Sequence, residues 1–358
     1  MITTRKRLDP AVFDLPVEKM RAGYYTDAYF NHTRATLLQD GRRPSVLMQV
    51  FQKKHAYLGG MDEAIAILKL CADDYEALTV RALYDGDAVE PYETVLAIEG
   101  DYTTFAHLET VYLGVLARRT LITTNVVNVL RAANGKPVIF MPARHDHHRV
   151  QTGDGYAAYV AGQVVGAEIG VTTEEQASWW GGRGLGTVPH SLVAAYGGDT
   201  VTAAKHFADW APADMNVTVL VDFDNDSVRT ALAVADALGP RLWGVRLDTS
   251  ESLVDRSLWE EMGDFKPTGV NPRLVWKVRE ALDAAGYGEV RIVVSGGFDI
   301  EKIREFENGG VPVDAYGVGS SLIRGSNDYT GDIVITDGQP SAKVGRRYRP
   351  NPRLERVT

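Results

Sequence analysis

The chain has 358 residues, 45% hydrophobic and 24% charged, with 38 Lys and Arg against 47 Asp and Glu, for a formal net charge of −9. This length exceeds one small core and points to two domains, while the acidic balance argues against a broad nucleic-acid or anionic-membrane surface. One cysteine, Cys71, excludes an intrachain disulfide and a cysteine-built zinc site, so no zinc is expected.

In chain order, MITTRKRLDP lacks the apolar core of a signal peptide. No later run approaches the ~18 apolar residues of a membrane span, so a cytoplasmic protein is expected. Up to about residue 110 the pattern reads as short strands and turns with one clear helix. PSVLMQVFQ is a strand and MDEAIAILKLCA an amphipathic helix that carries Cys71 as a buried thiol. Before that helix, AYLGG with Lys53 and Lys54 reads either as an anion cradle at a helix start or as a solvated lysine pair beside a turn. LTVRALYDGDAVEPYETVLAIEG gives strands around an Asp-Gly turn. Leu108, Val111, Tyr112, Val115 and Leu116 then share one face of a long helix that Gly135 and Pro137 stop.

From residue 137 short apolar runs (PVIFM, VTVLVDF, LWGVRLD, VRIVVSGG, DAYGVGSSL) alternate with amphipathic helices. This is the pattern of a parallel sheet buried on both faces. Thr173 to Gln176 fits a capping box, and Gly239 and Gly286 fit helix C-caps. The expected fold is α/β: an N-terminal α+β domain over 1–118, an irregular TIM-like α/β barrel with the catalytic site over 119–330, and a basic tail over 331–358 returning to the N-terminal domain.

Polar residues gather where the barrel strands end. They are Asp222, Asp224 and Asp226 in VDFDND, Arg246, Asp248 and Ser250 in VRLDTSES, Ser295, Gly296 and Gly297 in VSGGFD, and Gly317, Gly319 and Ser320 in YGVGSSL. Barrels place functional groups at that face, and two late Gly-rich turns favour a phosphate-bearing ligand. MPARHDHHRV holds His145, His147 and His148 beside Arg144, but this spacing after a strand does not converge metal ligands, and Arg144 as an anion or ring contact is the better reading. Trp179 and Trp180 read as packing residues. In GLGTVPHSLV, His190 between glycines is a loop histidine facing solvent, a satisfied core histidine, or an imidazole left open to an approaching group.

Taken in order over about Tyr24 to Arg347, these motifs resemble the nicotinate phosphoribosyltransferase family, within the type II phosphoribosyltransferases. YYTDAYF resembles the motif whose tyrosine, here Tyr29, stacks on the pyridine ring from a neighbouring subunit. MPARH resembles the segment whose arginine, here Arg144, contacts the base, with Met141 standing where an aromatic residue is expected and Phe140 one place earlier. GTVPHS resembles the segment of the phosphorylatable histidine, here His190. VRLDTSE resembles the base and ribose segment, and VSGGFD and YGVGSSL the two 5′-phosphate loops.

The resemblance implies that nicotinate and 5-phosphoribosyl pyrophosphate are joined to give nicotinate mononucleotide and pyrophosphate for NAD synthesis. It also implies Mg²⁺, ATP as co-substrate, and a homodimer or higher homo-oligomer with shared sites. His190, Asp222 and Asp248 are the implied catalytic residues. Tyr29, Arg144, Arg246 and Ser250 would bind substrate, and Ser295, Gly296, Gly297, Gly317, Gly319 and Ser320 the phosphate. The family's Ser-Asn is replaced by a segment with Glu168. The alternatives are therefore a quinolinate or nicotinamide phosphoribosyltransferase, or a nucleotide-binding homologue without turnover.

Overall fold

The computed structural model describes residues 5–261, 263 and 265–358; Met1–Thr4, the start of the segment read for a leader, lie outside the described residues. Two compact units divide the chain: Met1–Val127 with Tyr156–Val164 and Gly325–Thr358, and Asn128–Gly155 with Val165–Arg324.

The first unit opens with helices α1 (Val17–Arg21) and α2 (Ala28–Gln39). Strands β1 (Ser45–Gln52) and β2 (Ala56–Tyr57), helix α3 (Met61–Cys71), strands β3 (Thr79–Ala82), β4 (Ala88–Val89) and β5 (Leu96–Asp101), and helix α4 (Glu109–Ala132) follow. β1 is buried along almost its whole length because it sits mid-sheet, with β5 antiparallel on one side. Val46, Met48 and Val50 pack with Ile65 and Leu68 of α3 and with Tyr112 and Leu116 of α4, the expected apolar face of that helix. α4 runs unbroken past the expected domain boundary at 118/119, and left-handed Asn134 and Gly135 follow its end.

Two features of this unit differ from the sequence pattern or decide between readings. α2 was not expected: none of its residues is buried, so it lacks the apolar stripe that marks a helix packed on its own domain. At the start of α3, the N–H groups of Met61 and Asp62 donate to the Asp85 carboxylate at 2.7 and 3.3 Å. Lys53 faces Asp328 at 3.5 Å, and the Lys54 ammonium donates to the Ser326 carbonyl at 2.7 Å. The anion at this helix start is the chain's own aspartate.

Glu109 opens α4 with its carboxyl buried beside Tyr102, whose hydroxyl donates to Oε2 at 3.4 Å. Burial pushes this carboxyl up to about 7, against the Tyr102 hydrogen bond and with help from Asp332. The folded chain therefore binds this proton more tightly than the unfolded chain. The resulting stability is full below pH ~4 and is lost as pH rises through the folded-state value. Thermal midpoints of wild type should fall over that window, and Glu109→Gln should flatten the fall. An unchanged pH slope in the variant would refute the assignment.

The second unit alternates strands and helices: β6 (Val138–Phe140), α5 (Gln151–Val165, whose residues 156–164 belong to the first unit), β7 (Ile169–Val171), α6 (Glu174–Ala177), α7 (His190–Ala195) and α8 (Thr200–Trp210). Then come β8 (Val217–Leu220), α9 (Ser227–Leu238), β9 (Leu242–Leu247), α10 (Pro272–Ala284), β10 (Arg291–Val294), α11 (Ile300–Asn308) and β11 (Ala315–Val318). The six strands pair in parallel in the order β7-β6-β11-β10-β9-β8. The curled sheet's edges are joined by GLGTV. Gly184 bridges Val171 of β7, and Val188 bridges Val219 of β8. This irregular closure makes the expected barrel. Asp199, Asp226, Asn271 and Asp299 cap their helices through their side chains, and Thr173 with Gln176 forms the capping box.

The chain then returns to the first unit as β12 (Tyr329–Thr336), β13 (Gln339–Pro340) and β14 (Glu355–Arg356). They complete an antiparallel sheet in the order β13-β12-β1-β5-β3-β14. Between them Gln49 exchanges hydrogen bonds with the backbone of Arg347 and Arg349, at 3.0 and 2.9 Å. Among the described residues no helix is long and apolar enough to cross a membrane.

Candidate active site

Parallel pairing brings the ends of β6, β8, β9, β10 and β11 to one rim of the second unit. β8 delivers Asp222, whose side chain is 5% exposed and lies 3.4 Å from Nε2 of His190. His190 arrives from the closing segment as the first residue of α7, with Pro189 at the N-cap. β9 delivers Arg246 and Asp248. The Arg246 guanidinium donates to Thr187 Oγ1 at 2.8 Å and lies 3.9 Å from Asp248 Oδ2. The Ser295 hydroxyl, at the end of β10, donates to Asp248 Oδ1 at 2.7 Å.

The charges interact across this rim. Burial pushes the Asp222 carboxyl up, His190 pulls it back, and Asp248 pushes it further. Burial lowers the Arg246 guanidinium, Asp248 and Asp222 hold it up, and Arg144 adds to the lowering. Asp222 Oδ1, Arg246 Nε and Thr249 Oγ1 are buried without a hydrogen-bond partner. Such groups are rare in folded proteins, and each leaves a hydrogen-bonding position for a polar ligand or water.

Gly296 and Gly297 have φ of +84° and +69°, which L side chains rarely adopt. A Cβ on Gly297 would also collide with the Glu251 carboxylate. This turn presents backbone N–H groups at the head of α11, the arrangement that cradles phosphate. Lys302 stands behind it, donating to the Gly296 carbonyl at 3.2 Å and lying 4.4 Å from the Phe298 ring centroid. Gly319 and Ser320 form the adjoining turn after β11, and the Arg324 guanidinium donates to Ser320 Oγ at 3.3 Å.

Other residues singled out from the sequence stand differently. Gly317 lies inside β11, opposite Ile139, where a Cβ would come within 2.7 Å of Met141 Sδ, so close packing accounts for the glycine. Phe140 is fully buried. Ser250 bonds Ser252 at 3.0 Å, not Asp248 or Arg246. Arg144 is exposed on the turn after β6, and the adjoining His145 abuts Gly319. Tyr29 belongs to the first unit, on α2, with 59% exposure and its hydroxyl donating to Asp27 at 3.3 Å. His147 accepts from the Arg149 N–H at 3.2 Å, and among the described residues no group of three or more His, Cys, Asp or Glu could hold a metal. Thr187 was missed; its hydroxyl in a Gly-rich segment carries no signal without the fold.

Residues 27–120 match the family described as Quinolinate phosphoribosyl transferase, N-terminal domain. The chain is 30% identical over 370 residues to nicotinate phosphoribosyltransferase pncB1 of Mycobacterium tuberculosis, covering 92% of this chain and 76% of that protein. Among solved structures it is similar to nicotinate-nucleotide pyrophosphorylase from Pyrococcus furiosus, with a TM-score of 0.81 and 32% identity over 99% of this chain and 86% of that one. Human nicotinic acid phosphoribosyltransferase, at 18% identity and a TM-score of 0.66 over 90% of this chain and 77% of that one, shares the fold. An antiparallel N-terminal sheet followed by a curled parallel barrel with its polar rim is the quinolinate-phosphoribosyltransferase-like architecture. Within that class, the chain belongs to the nicotinate phosphoribosyltransferase family.

Proposed function

We propose that this enzyme joins nicotinate to 5-phosphoribosyl pyrophosphate in NAD synthesis, in the cytoplasm, with ATP as co-substrate. The observation that carries this reading is the convergence on one barrel rim of His190 with Asp222, Arg246 with Asp248, and the left-handed Gly296–Gly297 turn. The turn takes the 5′-phosphate. Asp248 faces the ribose, Arg246 and Arg144 attract the carboxylate of the base, and Tyr29 of a second copy stacks on its ring.

In the reaction the bond from ribose C1 to the pyrophosphate oxygen breaks and the bond from C1 to the pyridine nitrogen forms. Positive charge develops at C1, so a fixed carboxylate lowers the barrier, and aiming the base supplies most of the rest. Asp222 and Asp248 fit Mg²⁺ held jointly with substrate phosphates, since this ion commonly takes one or two carboxylates plus phosphate oxygens. An ion held by these two carboxylates would supply positive charge to the leaving pyrophosphate. Nε2 of His190 faces Asp222, and the other ring nitrogen is the one proposed to accept the γ-phosphoryl group of ATP with release of ADP. Water later returns that group as phosphate.

The match of residues 27–120 favours quinolinate as a second reading, with loss of CO₂. Turnover with phosphoribosyl pyrophosphate, Mg²⁺ and each of nicotinate, nicotinamide and quinolinate, with and without ATP, separates the two. The expected result is nicotinate mononucleotide formation that ATP accelerates. CO₂ release from quinolinate with no nicotinate turnover would overturn it.

A further inference from the structure

Thr187 stands three residues before His190, in the segment that closes the barrel. The backbone pins this segment on both sides: the Leu185 N–H donates to the Val171 carbonyl at 2.7 Å and the Val188 N–H to the Thr218 carbonyl at 3.0 Å. Val188 is fully buried. The hydroxyl of Thr187 is therefore held in place by β7 and β8, and it meets Arg246 Nη1 at 2.8 Å.

Among the described residues this is the one hydrogen bond that the Arg246 side chain makes. Its Nη2 lies 3.9 Å from Asp248, beyond hydrogen-bond reach, and its Nε is buried without a partner. A guanidinium carries five donors in a rigid fork, and its usefulness to a carboxylate depends on the direction of that fork. Here one hydroxyl fixes the direction. The same short segment delivers His190 to the start of α7, with only Val188 and Pro189 between it and the residue whose hydroxyl meets Arg246.

We propose that Thr187 is a positioning residue that aims Arg246 at the anionic base and ties that aim to the state of the His190 segment. The inference rests on the functional reading above and deepens it. Arg246 bound to Thr187 is oriented before the base arrives, so less rotational freedom is lost on binding. Phosphorylation of His190 then alters base affinity through Thr187 and not through direct contact. The hydroxyl matters only as an acceptor, so serine serves and valine, of the same shape, does not.

The test compares Thr187→Val and Thr187→Ser with wild type in nicotinate KM, phosphoribosyl pyrophosphate KM and kcat, with and without ATP, alongside a crystal structure of each variant. For Thr187→Val we expect nicotinate KM to rise on the order of tenfold, as for loss of one hydrogen bond to a charged group, with the phosphoribosyl pyrophosphate KM within about twofold. The effect of ATP on nicotinate KM should vanish in the valine variant and return in the serine variant. In the Thr187→Val crystal structure the Arg246 guanidinium should be displaced. Equal impairment of both variants, or a parallel rise in both KM values, would overturn the proposal. An undisplaced Arg246 would overturn it even if wild type turned over no base, a result that by itself sinks only the functional reading.

Discussion

His190→Ala is expected to abolish the acceleration of nicotinate mononucleotide synthesis by ATP, a loss of about two orders of magnitude in the ATP-driven rate, as for removal of a positioned nucleophile. Phosphoribosyl pyrophosphate should still bind, because the Gly296–Gly297 turn and Asp248 are untouched. The imidazole is 47% exposed while the carboxylate it faces is 5% exposed. One side of the ring thus faces Asp222 and part of the rest is open to solvent. Removing the ring also removes the pull that opposes burial at Asp222, so that carboxyl should move further upward. Initial rates with and without ATP read the loss of acceleration, and transfer of label from γ-labelled ATP to protein reads the loss of the phosphoryl acceptor. Persistent ATP acceleration in the variant would remove His190 from the mechanism.

Much of the polar rim was legible because Asp222, Asp248 and Ser295 each follow a strand. VDFDND and VSGGFD each join an apolar strand to a capped helix, VRLDTSES follows another apolar strand, and parallel pairing then fixes the side of the sheet to which their polar ends come. What was not legible has physical reasons. α2 buries none of its own side chains, so periodicity cannot reveal it. GLGTV lacks β-branched alternation and forms only isolated bridges to Val171 and Val219, yet it closes the barrel. Asp85 caps α3 from 24 residues away, which no local pattern encodes. Gly317 looked like a phosphate-loop glycine because it precedes Gly319, whereas its place inside β11 is set by the approach of Met141. Thr187 acquires meaning only when β9 places Arg246 beside it.

Asp248→Asn should lower kcat by about two to three orders of magnitude, the range seen when one preorganised electrostatic partner of a transition state is removed. The substitution keeps the shape of the side chain, and its amide oxygen can still accept from Ser295, so the fold around β10 should be retained. What disappears is the negative charge. Asp248 occupies the junction of the site: Oδ1 receives the Ser295 hydroxyl at 2.7 Å, Oδ2 faces Arg246 at 3.9 Å, and a Cβ on Gly296 would lie 3.3 Å from Oδ1. In the proposed reading, a carboxylate placed between the Gly296–Gly297 turn and Arg246 faces the ribose. Its charge should act on the oxocarbenium-like transition state more than on bound substrate, so kcat should fall far more than KM for phosphoribosyl pyrophosphate rises. Ser295→Ala, which loosens the carboxylate without neutralising it, should cost about tenfold. The ordering of the two variants is the discriminating result. If Asp248→Asn kept kcat within a few-fold of wild type, the charge would be structural, and the carboxylate that stabilises C1 would have to be sought at Asp222.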